Sequence, residues 1–411
     1  MHPGHRCRFC GSARTQSVVD LGMSPISNAF IDPARADEAE RFYPLHAFVC
    51  RECWLVQLAA FETPTQLFGD YRYFSSYSRS WLLHAENYVE AVSKRFHLGA
   101  GSRVVEVASN DGYLLQYFVR RGIPALGIEP AENVAAVARA SGVRTMAQFF
   151  GADTAASLQA AGETADLIVA NNVLAHVPDL NDFVRGFKTL LAPNGVLTVE
   201  FPHLARLIEE NQYDTIYHEH FSYFSLMVVD RLFRQHGMRL FDVQELPTHG
   251  GSLRVFACHA EATSHELTPA VAEVMAGERK AGLADMEIYR GFGRRVIDSK
   301  CEILEFCLNA RREGKRIAGY GAPAKGNTLL NYCGIGPELL EYTVDRSPHK
   351  QGLLLPGSRV PIHAPERILE TRPDYVLILP WNAREEIMSQ MSAVRDWGGK
   401  FVVPIPRVRI L

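Results

Sequence analysis

The sequence predicts an α/β protein with a mostly parallel, doubly wound sheet, and three observations lead to this prediction. Apolar, β-branched strand segments alternate with helix segments between residues 66 and 260, as in SRVVEVA followed by YLLQYFVRRG. The alternation returns between residues 261 and 411, whereas two cysteine pairs set residues 1–65 apart. A chain of 411 residues is long enough for these three regions to be separate domains.

The middle region can be assigned element by element. The segments WLLHAENYVEAVSKRF and YLLQYFVRRG have the apolar spacing of helices and flank the strand SRVVEVA. The strands PALGIEP, ADLIVAN and GVLTVEFPH then alternate with the helices ENVAAVARASG, LNDFVRGFKTLLAPNG and LMVVDRLFRQHG. MRLFDVQEL and SLRVFACHA form a final hairpin. A late antiparallel hairpin on a parallel sheet is the pattern of class I methyltransferases.

The C-terminal region is predicted to be a second, smaller α/β domain. RIAGYGAPAKGNTLLNY has the order strand, glycine-rich turn, helix, and EYTVDRSPHK and PDYVLILPW contain further buried strands. The turn ends without the G-K-[ST] of a P-loop.

Composition and charge argue against several classes of protein. The formal net charge of −3 gives no basic excess for nucleic acid. The chain has no run of about 18 apolar residues, and its opening, MHPGHRCRFCGS, lacks the apolar stretch of a secretory signal. We therefore expect a cytoplasmic protein without nucleic-acid or membrane partners.

Four cysteines form two C-x-x-C pairs in the first region. Cys7 and Cys10 make one pair, and Cys50 and Cys53 make the other. Four thiolates suit tetrahedral Zn²⁺, and grouped cysteines favour metal over disulfides in a reducing compartment. Four cysteine ligands leave no open coordination position, so the zinc is predicted to be structural. Buried free cysteines or disulfides are the alternative.

The loop after the strand SRVVEVA is predicted to bind a nucleoside cofactor. Parallel sheets bind ligands at the carboxyl ends of their strands, and an acidic residue about 20 positions on can accept hydrogen bonds from a ribose. The loop holds a single glycine, so it lacks the pyrophosphate platform of dinucleotide sites, which favours S-adenosylmethionine over NAD. The expected contacts are Glu106, Ser109, Asn110, Asp111, Gly112, Glu129, Asn171 and Asn172. The alternative is that Glu106 and Glu129 are only strand-end carboxylates.

The segment YDTIYHEHFSYFS concentrates groups that can transfer protons. Tyr217, Glu219 and His220 follow the strand GVLTVEFPH, and His176 follows the neighbouring strand at the same sheet edge. Histidine titrates near neutral pH, and a neighbouring glutamate can orient it. We expect at least one of His220, Tyr217 and His176 to be catalytic, and we expect His218 to point away from them.

These motifs together resemble the nucleotide-sugar C-methyltransferases that make branched deoxysugars, typified by the dTDP-sugar C-3'-methyltransferase of tetronitrose biosynthesis. The resemblance covers nearly the whole chain. It is carried by CRFCGS, LGMSPISNAF, CRECWLVQL, YFSSYSRSW, EVASNDGYLL, NNVLAHVPD, YDTIYHEHFSYFS, HGGSLRV and GYGAPAKGNTLLN. The cofactor loop lacks the usual methyltransferase glycines, and EVASNDG resembles this family's own version.

The resemblance implies a zinc-binding module (1–65), an S-adenosylmethionine-dependent core (66–260) and a Rossmann-like domain (261–411). It also implies that a base removes the C3 proton of a nucleotide-linked 4-keto-sugar, with a dTDP-sugar as the expected substrate, and that the enolate carbon takes the methyl group. By motif, His220 is the base, and Tyr217 is its rival or a donor to the enolate oxygen. Glu219, His176 and Tyr71 would line the substrate site. A monomer in deoxysugar or antibiotic biosynthesis is expected.

Two further substrate contacts are expected. Lys325, in the glycine-rich turn at a helix N-terminus, is placed to meet the diphosphate of the substrate, with a purely structural turn as the alternative. Tyr73, with Tyr71, belongs to an aromatic run that either caps the substrate pocket or lies in a core.

Four other functions stay open on the sequence. Methylation at C-5', or transfer to oxygen or nitrogen, would keep the methyltransferase fold. An NAD(P)-dependent sugar oxidoreductase would need the missing glycine fingerprint. A zinc-ribbon binding protein with an inactive core is the fourth.

Overall fold

The computed structural model describes residues 6–68 and 74–411, which are arranged around three β-sheets. The first sheet is antiparallel and has the strand order β1-β2-β3-β9. Its last strand comes from the middle region of the chain, so the N-terminal region is completed by a distant segment. The elements are β1 (Thr15–Ser24), β2 (Tyr43–Cys50), β3 (Val56–Leu58), β9 (Ser222–Tyr223) and the short helix α1 (Pro64–Phe68).

The second sheet has seven strands and belongs to the middle region. Its strands are β4 (Val104–Val107), β5 (Ala125–Ile128), β6 (Thr145–Met146), β7 (Ala165–Asn171), β8 (Leu191–Pro202), β10 (Met238–Leu246) and β11 (Ser252–His259). The order is β10-β11-β8-β7-β4-β5-β6, and β11 runs antiparallel to both of its neighbours. The pairs among β4 to β8 are parallel. This confirms the predicted class I methyltransferase fold, including the terminal hairpin.

Helices cover both faces of this sheet. They are α2 (Arg79–Arg95), α3 (Leu115–Arg120), α4 (Glu132–Ala140), α5 (Ala152–Ala160), α6 (Leu180–Leu190) and α8 (Leu226–Gln235). The short helix α7 (Leu204–Glu209) instead packs in the apolar core that the N- and C-terminal regions share. Because helices lie on both faces, the parallel strands are buried on both sides, and all four residues of β4 are buried. Burial on both sides explains why the segment SRVVEVA is an apolar, β-branched run.

The third sheet confirms the predicted second α/β unit. Its strands are β12 (Ile317–Tyr320), β13 (Thr343–Val344), β14 (Ile362–His363), β15 (Tyr375–Ile378), β16 (Lys400–Val403) and β17 (Arg409–Ile410), in the order β14-β13-β12-β15-β16-β17. All pairs are parallel except the last. The accompanying helices are α9 (Pro269–Lys280), α10 (Met286–Arg312), α11 (Ala324–Cys333), α12 (Glu366–Thr371) and α13 (Arg384–Gln390).

Helices of the C-terminal region pack directly on the other two sheets. On α10, a Cβ atom at Gly293 would lie 2.9 Å from the carbonyl oxygen of Val18 in β1, so glycine permits this close contact. Val271 of α9 belongs to the same apolar core as β10. The C-terminal region thus shares apolar cores with the other two regions, so the sheets alone do not mark where one domain ends. The domain boundaries at residues 65 and 260 stay predictions.

Within the described residues, no helix is long and apolar enough to cross a membrane.

Candidate active site

The four paired cysteines converge on one point. Their sulfur atoms all lie within 4.8 Å of one another, with Cys7 Sγ 3.5 Å from Cys53 Sγ and Cys10 Sγ 3.6 Å from Cys50 Sγ. Sulfur atoms around a tetrahedral zinc, at Zn–S distances of about 2.3 Å, are about 3.8 Å apart. A disulfide would need about 2 Å. The geometry therefore fits Zn²⁺ held by four thiolates.

Each cysteine pair sits in a tight backbone turn. The N–H of Gly11 donates to the carbonyl of Cys7, and the N–H of Trp54 donates to the carbonyl of Cys50, both at 2.8 Å. Gly11 and Trp54 both adopt the left-handed conformation, with φ of 72° and 67°. In this conformation the chain turns back, so that both thiols of a pair face the same point.

The cofactor loop after β4 has a strained backbone. Ala108, Asn110 and Gly112 have φ values of 57°, 48° and 78°, all in the left-handed region. Asparagine and glycine tolerate this conformation, whereas alanine does so at a cost of about 1 kcal/mol or more. Strain of this kind concentrates at functional sites, where the surrounding structure maintains it.

Two buried carboxyl groups flank the loop where the sequence places them. Glu129 accepts hydrogen bonds from the backbone N–H groups of Asn110 at 2.9 Å and Ala131 at 3.0 Å, so it holds the loop. Burial raises the pKa of Glu106 well above its ordinary value, and a hydrogen bond with Tyr113 opposes this rise. Burial therefore disfavours the charged form of Glu106.

Buried polar atoms around the loop fit a polar ligand. Within residues 6–68 and 74–411, Ser109 Oγ, Asp111 Oδ1, Asn171 Oδ1 and Asn172 Oδ1 are buried without a hydrogen-bond partner. Unsatisfied buried polar atoms are costly, so several in one place mark a ligand site. Hydroxyl and amino groups of S-adenosylmethionine would satisfy them. The structure brings all eight predicted cofactor residues to the carboxyl edge of β4, β5 and β7.

His220 and Tyr217 form a hydrogen-bonded pair. The imidazole Nδ1 lies 3.1 Å from the carbonyl oxygen of Thr215, which can only accept, so Nδ1 carries the hydrogen. Nε2 of the neutral ring is then the acceptor for the Tyr217 hydroxyl at 2.8 Å. Burial, followed by the neighbouring His176, holds the pKa of His220 well below its ordinary value. The neutral form of the His220 ring is thus favoured.

His176 and Glu219 complete the cluster. The rings of His176 and His220 meet edge to face with centroids 4.7 Å apart, and His176 Nδ1 donates to the backbone carbonyl of Glu219 at 2.8 Å. Burial lowers the pKa of His176 to about 4 and raises that of Glu219 to about 7. His218 instead faces the N-terminal region, where its ring lies 3.2 Å from the Pro44 carbonyl, in keeping with the expectation that it points away.

Lys325 reaches the same centre from the C-terminal region. Its ammonium donates to Asn382 at 2.8 Å and lies 4.5 Å from the ring centroid of Trp381, whose indole N–H donates to Asp214 at 2.6 Å. Burial lowers the pKa of Lys325, and its charge contributes to the lowered pKa of His220. Lys325 makes no ion pair with any described residue.

Sequence reasoning missed two members of the site. Asn28 donates its side-chain amide to Glu219 Oε1 at 3.0 Å, and His249, in the left-handed conformation with φ of 55°, lies 3.3 Å from the Asn172 amide. Both belong to motifs of the resemblance, ISNAF and HGGSLRV, and that membership was the available signal. Tyr71 and Tyr73 lie outside the described residues.

Behind the site, Glu200 at the end of β8 is held in a buried ion pair. Arg254 lies 2.7 Å and His84 3.0 Å from its carboxylate, and Thr248 donates to it at 2.9 Å. Burial alone would raise the pKa of Glu200, but the His84 hydrogen bond and the Arg254 charge lower it to about 2. This network fixes the backbone that precedes His249.

Three family models match consecutive parts of the chain. The family described as "Putative zinc binding domain" matches residues 7–68, "Methyltransferase domain" matches 81–243, and "C-methyltransferase C-terminal domain" matches 247–406. The first match contains all four cysteines, the second contains the cofactor loop and His220, and the third contains Lys325.

Solved structures with a similar core were also found. Magnesium protoporphyrin IX methyltransferase (ChlM) from Synechocystis PCC 6803 with bound SAM is 14% identical, with a TM-score of 0.34 over 47% of this chain and 88% of that chain. The CcbJ methyltransferase from Streptomyces caelestis is 14% identical, with a TM-score of 0.33 over 43% of this chain and 89% of that chain.

Similarity to characterised sequences is much stronger. C-methyltransferase NovU of Streptomyces niveus is 40% identical over 411 residues, which is 100% of this chain and 98% of that protein. Ubiquinone biosynthesis O-methyltransferase of Azorhizobium caulinodans is 31% identical over 103 residues, covering 24% of this chain and 40% of that protein. The chain therefore belongs to the C-methyltransferase family that includes NovU, and it is an S-adenosylmethionine-dependent C-methyltransferase with a zinc-binding N-terminal domain.

Proposed function

We propose that the enzyme methylates C-3' of a nucleotide-linked 4-keto-deoxysugar, most simply a dTDP-sugar, in deoxysugar biosynthesis. The observation that carries this proposal is the half-buried, neutral His220, whose basic nitrogen faces the Tyr217 hydroxyl. Methyl transfer to carbon requires that a carbon acid lose a proton, and a C4 ketone acidifies the hydrogen on C3. Transfer to an oxygen or nitrogen acceptor would not require removal of a proton from carbon.

The proposed division of labour follows from the hydrogen bonds. His220 Nε2 takes the C3 proton, and the Thr215 carbonyl stabilises the imidazolium through Nδ1–H. The Tyr217 hydroxyl turns from Nε2 to the C4 oxygen of the substrate, which frees the Nε2 lone pair for the C3 proton and leaves the hydroxyl as a donor to the enolate oxygen. When bound, S-adenosylmethionine supplies an electrophilic methyl group. Tyr217 as the base is the alternative assignment.

His176, Glu219 and the two early tyrosines are proposed to shape the substrate pocket. The rings of His176 and His220 meet edge to face, and this contact restricts the plane of the proposed base. Because its pKa is about 7, Glu219 can donate a hydrogen bond to a sugar hydroxyl when protonated and accept one from it when ionised. From the resemblance, Tyr71 and Tyr73 are proposed to contact the sugar.

Lys325 is proposed to bind the anionic part of the substrate. Its ammonium is partly buried, interacts with a neutral amide and an aromatic ring, and lacks an ion pair with any described carboxylate. Asp214 interacts with the ammonium electrostatically without forming an ion pair, so a diphosphate could pair with it directly. Lys325→Ala should raise the substrate KM at least tenfold, whereas Lys315→Ala, an exposed residue paired with Asp374, should leave KM unchanged. An unchanged KM in Lys325→Ala would remove this role.

A substrate panel tests the function as a whole. Labelled S-adenosylmethionine would be incubated with dTDP-4-keto-deoxysugars and with the matching 4-hydroxy sugars, and the products analysed by NMR. Label should enter only the keto sugars, as a methyl group on C-3'. Methylation of the 4-hydroxy sugars at oxygen would contradict the proposal. A methyl group on C-5' would show that the enzyme methylates C-5' and not C-3'.

A further inference from the structure

The N-terminal zinc-binding domain contacts the histidine loop, defined as residues 217–223, at successive positions. Asn28 donates to the Glu219 side chain at 3.0 Å, and the Pro44 carbonyl lies 3.2 Å from the His218 ring. The N–H of Leu58 donates to the carbonyl of Phe221 at 3.0 Å. The loop that carries the proposed base is therefore fixed from outside the methyltransferase sheet.

The end of the histidine loop forms a strand of the zinc-binding domain. β9 pairs antiparallel with β3, so that Ser222 lies opposite Gln57 and Tyr223 opposite Val56. His220 is only two residues from this pairing. Backbone hydrogen bonds of a sheet set register, so the position of His220 depends on where β3 lies.

Arg8 joins the two loops that carry His176 and His220. Its guanidinium donates from Nη1 to the Pro178 carbonyl at 3.1 Å and from Nη2 to the Leu58 carbonyl, and it lies 5.2 Å from the ring centroid of Phe221. Pro178 follows His176 by two residues, and Phe221 follows His220 directly. The N–H of Phe221 also donates to the carbonyl of Ala175 at 2.7 Å, which links the same two loops a second time.

The zinc ligands determine where Arg8 lies. Arg8 stands between Cys7 and Cys10, and its own N–H donates to the Gln57 side chain at 3.0 Å. A metal that fixes both cysteines fixes the backbone between them. The planar guanidinium can then hold two carbonyl groups in one rigid geometry, which a lysine ammonium on a flexible stem does not do.

We propose that Arg8 is a positioning residue, which couples the occupied zinc site to the relative orientation of His176 and His220. This gives the zinc-binding domain a role in proton abstraction beyond its own stability. The inference rests on the proposed function, because that function makes these two histidines part of the active site. No part of it requires Arg8 to contact the substrate or S-adenosylmethionine.

The test compares Arg8→Met with Arg6→Met in the full chain. Arg6 is exposed and lies one position before Cys7, so its variant is a matched control for loss of a positive charge in the same segment. Four quantities would be measured: bound zinc, the Kd of S-adenosylmethionine by calorimetry, the ¹⁵N shifts of the histidine rings by NMR, and kcat with a dTDP-4-keto-deoxysugar.

Arg8→Met should keep its zinc and bind S-adenosylmethionine within about twofold of the parent. The ring signals of His176 and His220 should shift, and kcat should fall by about 10- to 100-fold, because displacements near 1 Å can cost this much in rate. Arg8→Lys should recover part of kcat, since its ammonium can donate to one of the two carbonyl groups. Zinc removal by a chelator should shift the same two ring signals, and Arg6→Met should change none of these quantities.

Unchanged ring signals and unchanged kcat in zinc-loaded Arg8→Met or Arg8→Lys would overturn the proposal. Loss of S-adenosylmethionine binding together with kcat would also overturn it, since Arg8 would then support the whole fold. If the parent enzyme methylates no keto-sugar, the proposed function fails, but the ring signals still decide whether Arg8 positions the two histidines.

Discussion

At the scale of single residues, the hydrogen bonds of His220 decide which nitrogen can act as a base. Nδ1–H is committed to a backbone carbonyl, and Nε2 is turned towards Tyr217. Partial burial and the neighbouring His176 disfavour the imidazolium form and lower the pKa of His220, so the neutral ring is favoured. Its basic form is therefore present at pH values where an ordinary histidine would already be protonated.

This environment predicts the pH dependence of the reaction. The acidic limb of kcat/KM should lie well below pH 6.5, because the base is lost only when pH falls through the lowered pKa of His220. The profile should be measured in Glu219→Gln, which removes a carboxyl group with a pKa of about 7. A limb at or above pH 6.5 in that variant would show that another group is the base.

Gly127 shows how one residue shapes the cofactor loop. A Cβ atom at this position in β5 would lie 2.9 Å from Ser109 Cβ and 3.1 Å from Thr145 Oγ1. Overpacking of this kind costs about 1–3 kcal/mol. Gly127→Ala should therefore displace Ser109 and weaken S-adenosylmethionine binding about tenfold by calorimetry. Gly101→Ala, where nothing lies within 4 Å, is the control, and equal affinities in both variants would contradict the expectation.

At the scale of elements, α9 caps a helix of the methyltransferase core. Buried Glu278 accepts hydrogen bonds from the N–H groups of Leu226 and Met227 at the start of α8, and it pairs with His203 at 2.8 Å. A carboxylate at a helix N-terminus satisfies donors that have no partner inside the helix. This contact fixes α9 to α8, so the chain after residue 260 is anchored to the core.

Removing the cap should destabilise the protein measurably. Removing an acceptor that satisfies several buried donors costs about 3 kcal/mol, so Glu278→Ala should lower Tm by roughly 6–12 °C in thermal denaturation. Glu273→Ala, on an exposed position of the same helix, should change Tm by less than 2 °C, in keeping with the roughly 0.5 kcal/mol typical of surface changes. Equal Tm values for the two variants would mean that the cap contributes little.

At the scale of the whole molecule, the three sheets could be predicted from the sequence more completely than the contacts between them. The parallel strands are continuous apolar runs, and the paired cysteines have metal-ligand spacing, so local patterns were sufficient there. β9 has only two residues, and it pairs with a strand more than 160 residues earlier. A pairing between such short strands, so far apart in the chain, leaves no periodic pattern in the sequence.

The same limit applies to the contacts between domains. Lys325 was expected from its glycine-rich turn, but its approach to His220 depends on Trp381 and Asp214, which meet only when two domains pack. Arg8 was not predicted, because it lies inside the first C-x-x-C pair, and the two cysteines already explain that motif. The predicted residues came together because strand ends share one sheet edge, whereas the residues that position them come from other sheets.

The most direct test of the active site is hydrogen exchange at the sugar carbon. The enzyme would be incubated in D₂O with a dTDP-4-keto-deoxysugar and without methyl donor, and deuterium at C-3' followed by NMR. The parent enzyme should incorporate deuterium at C-3', and His220→Asn should reduce the rate by at least about 100-fold while retaining its affinity for S-adenosylmethionine. Exchange at an undiminished rate in His220→Asn would show that the histidine does not remove the proton.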